Sequence, residues 1–104
     1  SVGESFNARL DRCLRETGSL LCVGLDPHPG KVSEPLADWC RRIIDATWDA
    51  AVAYKPNSAF FEAAGPRGME DLQAVARHVP EGRILVLDAK RGDIGSTASA
   101  YARA

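Results

Sequence analysis

Asp88, Lys90 and Asp93 stand together in the stretch DAKRGD, directly after the aliphatic run ILVL at 84–87. An acid, a base and an acid so close can do proton chemistry, and their effect on one another decides which kind. Opposite charges within about 4–6 Å hold each other ionised, so an ammonium flanked by carboxylates stays an ammonium. That argues against a Schiff-base nucleophile, because a lysine that attacks a carbonyl is desolvated or set beside another cation, which lowers its pKa. A lysine kept cationic is suited instead to stabilising a developing carbanion and then giving it a proton.

Two other ionisable residues close apolar or small stretches in the same way: Asp26 after LLCVGL at 20–25, and Lys55 within AAVAYKP at 50–56. Side chains alternate faces along a strand. Asp26 is therefore in phase with Gly24 and Cys22, Lys55 with Ala53 and Ala51, and Asp88 and Lys90 with Val86 and Ile84. One charge at a strand tip is an ordinary solvated residue. Asp26, Lys55, Asp88 and Lys90 aligned on one rim, with Asp93 in the adjoining loop, make a pocket of alternating charge.

The elements that must hold these groups follow from apolar periodicity and Gly/Pro punctuation. Phe6, Leu10, Cys13 and Leu14 recur at helical spacing between Ser5, a suitable N-cap, and Gly18, a stop. Leu36, Trp39, Cys40, Ile43 and Ile44 predict a second helix, with Pro35 suited to its first turn. A short helical piece follows around 60–64, and Met69, Leu72, Val75, Ala76 and Val79 mark another helix ended by Pro80. STASAYARA at 96–104 is expected to begin one more. Strands are expected near 20–25, 50–56 and 83–89, the first a continuous apolar run of the kind covered on both faces. The order α, then β-α-β-α-β-α, implies an α/β fold with parallel strands and right-handed crossovers. An open doubly wound sheet and part of a (β/α)8 barrel both fit; in a barrel the aligned charges would line the C-terminal mouth, where catalytic residues gather.

Composition narrows the partner. The chain has 104 residues, one domain at most, with a formal charge of −1 and acids and bases interspersed. No basic block suggests nucleic acid or a polybasic membrane contact, so a small molecule is the expected ligand. No apolar run approaches the roughly 18–20 residues of a bilayer span and no signal segment opens the chain, so a soluble cytoplasmic protein is expected. Cys13, Cys22 and Cys40 are odd in number and far apart, which fits buried free thiols rather than a disulfide framework or zinc site. GLDPHPG at 24–30 has neither dinucleotide-fingerprint nor P-loop spacing. His28 is read as a solvated loop residue before an acid, base or ligand, His78 as a dipole partner at a helix C-terminus, and Trp39 and Trp48 as packing residues.

The chain resembles the orotidine 5'-phosphate decarboxylase family, in its bacterial branch carrying D-A-K-R-G-D-I-G-S-T. The family motif, two aliphatic residues, any residue, then D-x-K-x-x-D-[IV]-x-x-T, is filled by Leu85, Val86, Asp88, Lys90, Asp93, Ile94 and Thr97. CVGLDP at 22–27 and AYKPNSAFFEA at 53–63 are similar to the family's first two strand ends, so the likeness spans nearly the whole chain. It implies a (β/α)8 TIM barrel of which residues 1–104 are the N-terminal part, about the first three β/α units. It further implies decarboxylation of orotidine 5'-phosphate with no metal or organic cofactor. By resemblance Asp26 binds the substrate ribose, Lys55 bridges ribose and acidic network, Asp88 sits against the departing carboxylate, and Lys90 stabilises and protonates C6. Asp93, Ile94 and Thr97 reach the second site of a homodimer. A magnesium-dependent sugar-phosphate decarboxylase or aldolase of the same superfamily is the nearest alternative, and a non-catalytic barrel fragment the other. A full barrel needs about 200–250 residues, so the 104-residue chain alone is expected to be inactive.

Overall fold

A computed structural model describes residues 4–28 and 30–87 and the backbone of 99–102. In chain order these form α1 (Phe6–Thr17), β1 (Leu21–Leu25), α2 (Leu36–Thr47), β2 (Ala51–Pro56), α3 (Ser58–Ala63), α4 (Gly65–His78), β3 (Ile84–Leu87) and β4 (Ser99–Ala102). The sheet order is β1-β2-β3-β4. β1 pairs with β2, and β2 with β3, in parallel. Parallel neighbours need a crossover, and helices supply it here: α2 between β1 and β2, α3 and α4 between β2 and β3.

Local chemistry sets the helix ends. The Ser5 hydroxyl accepts the Ala8 N–H at 3.1 Å, satisfying one of the orphan donors of α1. At the other end Gly18 adopts φ 62°, a left-handed cap open to glycine, and its N–H bonds to the Leu14 carbonyl at 2.8 Å. α4 stops because Val79 precedes Pro80 and is driven out of the helical region, to φ −63°, ψ 125°.

The alternation of the strands divides the apolar residues between two faces. Leu25, Tyr54 and Leu85, with Val23 and Leu87 beside them, pack against Ala37, Cys40 and Ile44 of α2 and Leu72 and Val75 of α4. This is the main core. On the opposite side Val52, Ala53 and Ile84 cluster with Cys13 of α1, bordered by Leu10, Leu14 and Val86. α1 is therefore no crossover helix; it covers the N-terminal part of the second face. It is fastened to the turn before β3. Arg9, only 1% exposed, donates from Nη2 to the carbonyls of Glu81 and Arg83, and the Cys13 thiol donates to the Gly82 carbonyl at 2.9 Å. Arg83, also buried, donates to the Trp48 carbonyl at 2.7 Å and to Glu16 at 3.3 Å.

The backbone corrects one expectation. A helix is expected to begin within 96–104, but Ser99–Ala102 is a strand antiparallel to β3, from Leu87↔Ser99 to Ile84↔Ala102. Ser-Ala-Tyr-Ala contains one large apolar side chain and so no helical stripe to bury. The free edge of β3, by contrast, offers unpaired N–H and C=O groups that a strand satisfies.

Gly68 sits where the first turn of α4 comes close to α3. A Cβ there would stand 1.9 Å from the Phe61 carbonyl oxygen and 2.8 Å from the Ala64 Cβ. A backbone atom cannot step aside as a side chain does, so Gly68→Ala is expected to destabilise by about 3 kcal/mol, the upper part of the overpacking range. The check is a lowered urea midpoint at constant m-value; an unchanged midpoint would refute the contact.

Candidate active site

The parallel register sets Gly24 beside Lys55 and Leu25 beside Pro56. The Asn57 N–H carries the ladder one step further, donating to the Leu25 carbonyl at 3.0 Å. Asp26 follows Leu25 and is in phase with Gly24, so Asp26 and Lys55 come to the C-terminal edge of the same sheet face. Both are exposed. Oδ2 of Asp26 lies 3.3 Å from where a Cβ of Gly24 would be. The carboxylate is thus laid back along β1, over the residue that pairs with Lys55.

Rigid elements hold these two side chains. Lys55 is the penultimate residue of β2, the last, Pro56, is buried, and Asn57 then caps α3 by accepting the Ala59 N–H on Oδ1 at 3.1 Å. β2 thus passes into α3 through one residue. Pro27, after Asp26, is fully buried, and the Asp26 carbonyl accepts the His28 N–H at 2.9 Å, turning the chain away from the sheet. His28 is exposed, as expected of a loop histidine, and its ring meets Phe60 edge-on, with centroids 4.5 Å apart and planes at 64°. Beside them is an apolar hollow of about 300 Å³ lined by Pro27, Leu36, Phe60, Ala63 and Ala64, away from Asp26 and Lys55.

β3 lies beside β2, with Ala53↔Ile84 and Tyr54↔Leu85 in register, and runs in the same direction toward DAKRGD. Asp88, Lys90, Asp93, Ile94 and Thr97 lie outside the described residues. Of the residues singled out in the sequence, the described part brings together Asp26 and Lys55. Two that sequence reasoning passed over also belong to this corner. Gly24 carried a signal, since glycine inside a strand marks a close approach; Asn57 did too, as an Asn directly before a helix is an N-cap signature.

The thiols divide. Cys13 and Cys40 are buried and free. Burial pushes the Cys40 thiol up to about 12, with the negative charges of Asp26 and Asp71 adding to the effect, so it stays neutral and unreactive. Cys22 corrects the expectation of three buried thiols: it is exposed. It shares its phase with the exposed Gly24 and Asp26 on β1, the edge strand, whereas its neighbour in the ladder, Ala53 of β2, is covered by the cluster around Cys13. Trp48 is a second correction, 47% exposed, with the Arg83 guanidinium 5.3 Å from its ring centroid in place of a core neighbour. Trp39 borders the main core. His78 contacts a neighbouring helix, its Nε2 lying 2.7 Å from Asp45 Oδ1 on α2.

The model of the "Orotidine 5'-phosphate decarboxylase / HUMPS family" matches residues 19–104, leaving α1 outside the match. An orotidine 5'-phosphate decarboxylase of Roseiflexus castenholzii is 48% identical over 106 residues, covering 95% of this chain and 39% of its own length. That of Methylibium petroleiphilum is 49% identical over 107 residues, with 95% and 38% covered. The solved structure of Leishmania donovani OMP decarboxylase superposes with a TM-score of 0.72 at 45% identity, covering 88% of this chain and 35% of that one. The chain therefore spans a little under two fifths of the length of these curated relatives.

Proposed function

The chain belongs to the orotidine 5'-phosphate decarboxylase / HUMPS family, and from that premise we propose that it is the N-terminal part of a (β/α)8 barrel that converts orotidine 5'-phosphate to uridine 5'-phosphate without a cofactor. The observation that carries this is the parallel register: it sets Asp26 and Lys55 on one face at one edge, while β3 of the same sheet runs into D-A-K-R-G-D-I-G-S-T.

In this proposal the bond between C6 and the substrate carboxylate breaks, CO2 leaves, and the electron pair stays on C6. The pyrimidine ring cannot delocalise that pair far, so a cation already in position is the available remedy. Lys90, kept an ammonium by Asp88 and Asp93, faces the developing charge and then supplies its proton to C6, to be reprotonated from solvent afterwards. Asp26 grips the ribose and Lys55 ties the ribose to the acidic network. Asp93, Ile94 and Thr97 extend to the site of a second subunit, making the working unit a cytoplasmic homodimer with shared sites.

The experiment compares the complete barrel with and without chelator. Turnover of orotidine 5'-phosphate unchanged in EDTA, with tight binding of a uridine-monophosphate analogue, is the expected result. Loss of activity in EDTA would overturn the reading in favour of a magnesium-dependent sugar-phosphate enzyme, which stabilises an enediolate on its metal.

A further inference from the structure

Gly24 is a glycine without a backbone reason. It has no positive φ, and a glycine in the middle of a strand weakens it, having no side chain to pack. Nor does crowding among the described residues explain it, since Gly24 is exposed there. Among the described residues, the one atom within 4 Å of its missing Cβ is Oδ2 of Asp26, at 3.3 Å. Its partner across the ladder is Lys55. The space left by the absent side chain is the space that the carboxylate uses.

We propose that Gly24 is a positioning residue for substrate binding: its bare Cα lets the Asp26 carboxylate lie back against the sheet, on the side of Lys55, where the two together present an anion and a cation to a ribose. This rests on the reading of Asp26 as the ribose ligand. A methyl group at position 24 would meet Oδ2 closer than ordinary van der Waals contact, and the carboxylate would have to give by a few tenths of an ångström or rotate about χ1. A strand residue does not yield, because the ladder to β2 fixes it, so the carboxylate moves. Hydrogen bonds to a diol are directional and weaken with such a shift.

The test is Gly24→Ala in the complete barrel, alone and combined with Asp26→Ala. Alanine is compatible with the backbone here, so the variant should unfold at no lower a temperature than the parent. Its crystal structure should show the Asp26 carboxylate displaced. KM for orotidine 5'-phosphate should rise by about three- to tenfold with kcat within about twofold, the signature of lost uniform binding. In the Asp26→Ala background, Gly24→Ala should add no further change, because its effect acts through that carboxylate. An unmoved carboxylate, or a KM rise that persists undiminished without Asp26, overturns the proposal. If the carboxylate moves but KM does not, and Asp26→Ala also binds normally, the ribose assignment is what fails, and Gly24 loses its part in binding with it.

Discussion

Replacing Lys90 by Ala in the complete barrel should lower kcat for orotidine 5'-phosphate by about 10^4-fold or more while changing KM far less. Two contributions are lost at once. Removing one preorganised donor from a developing anion costs about 10^2–10^3-fold, and removing a positioned general acid costs about 10^2–10^4-fold. The two need not multiply fully, since one ammonium performs both, yet either alone would be conspicuous. KM is spared because the ammonium is most valuable when charge has accumulated on C6, in the transition state rather than the bound substrate. Lys90→Arg separates the parts. Guanidinium keeps the charge but holds its proton too tightly to give it up. An arginine variant that binds substrate yet turns over nearly as poorly as the alanine variant would place the weight on proton delivery. Survival of decarboxylation to within about tenfold in Lys90→Ala would refute the role given to this residue.

How much of this was legible in the residues depends on how local each signal is. The helices of the β/α units and the strand ends at Asp26 and Lys55 could be read because apolar spacing and Gly/Pro punctuation act within a few residues. The register could not. That Gly24 rather than Leu25 pairs with Lys55 depends on an irregularity between Leu21 and Cys22, where the ladder passes from Leu21↔Ala51 to Cys22↔Ala53. Nothing local in LLCVGL announces it. Cys22 and Trp48 depart from what their types suggest for a related reason: their side chains are apolar, but burial belongs to the face on which a residue lands and to what packs there. Arg9 is the converse. A charged residue on α1 would be placed in solvent from its type, yet it is buried because carbonyls of the turn at 81–83, far away in sequence, accept its N–H groups. The strand at Ser99–Ala102 is not visible in its own four residues because its pairing with β3 is a property of the sheet edge.

The isolated 104-residue polypeptide should give no measurable conversion of orotidine 5'-phosphate under conditions where the complete barrel is saturated. The reason lies in where binding energy is used. The resemblance implies that the groups that grip the phosphate and close over the base lie on later strands. Interactions remote from the reacting carbon help to meet the cost of orienting and desolvating it, so their loss lowers turnover as well as affinity. The first units already show what the closed cylinder would supply. Asp26 and Lys55 are exposed on the sheet face, and β1 stands at an edge, its first residue Leu21 47% exposed and the preceding Leu20 86%. Charges in water are screened and weak, whereas the same charges inside a closed, water-poor mouth act strongly on a developing anion. Adding a separately produced remainder of the barrel, should it associate along the β1 edge and cover this face, is expected to restore turnover that Lys90→Ala in the short chain abolishes. Conversion by the short chain alone, sensitive to Lys90→Ala, would instead mean that the acid–lysine–acid cluster needs no enclosure, and the account of catalysis through a preorganised, water-excluded cation would fall.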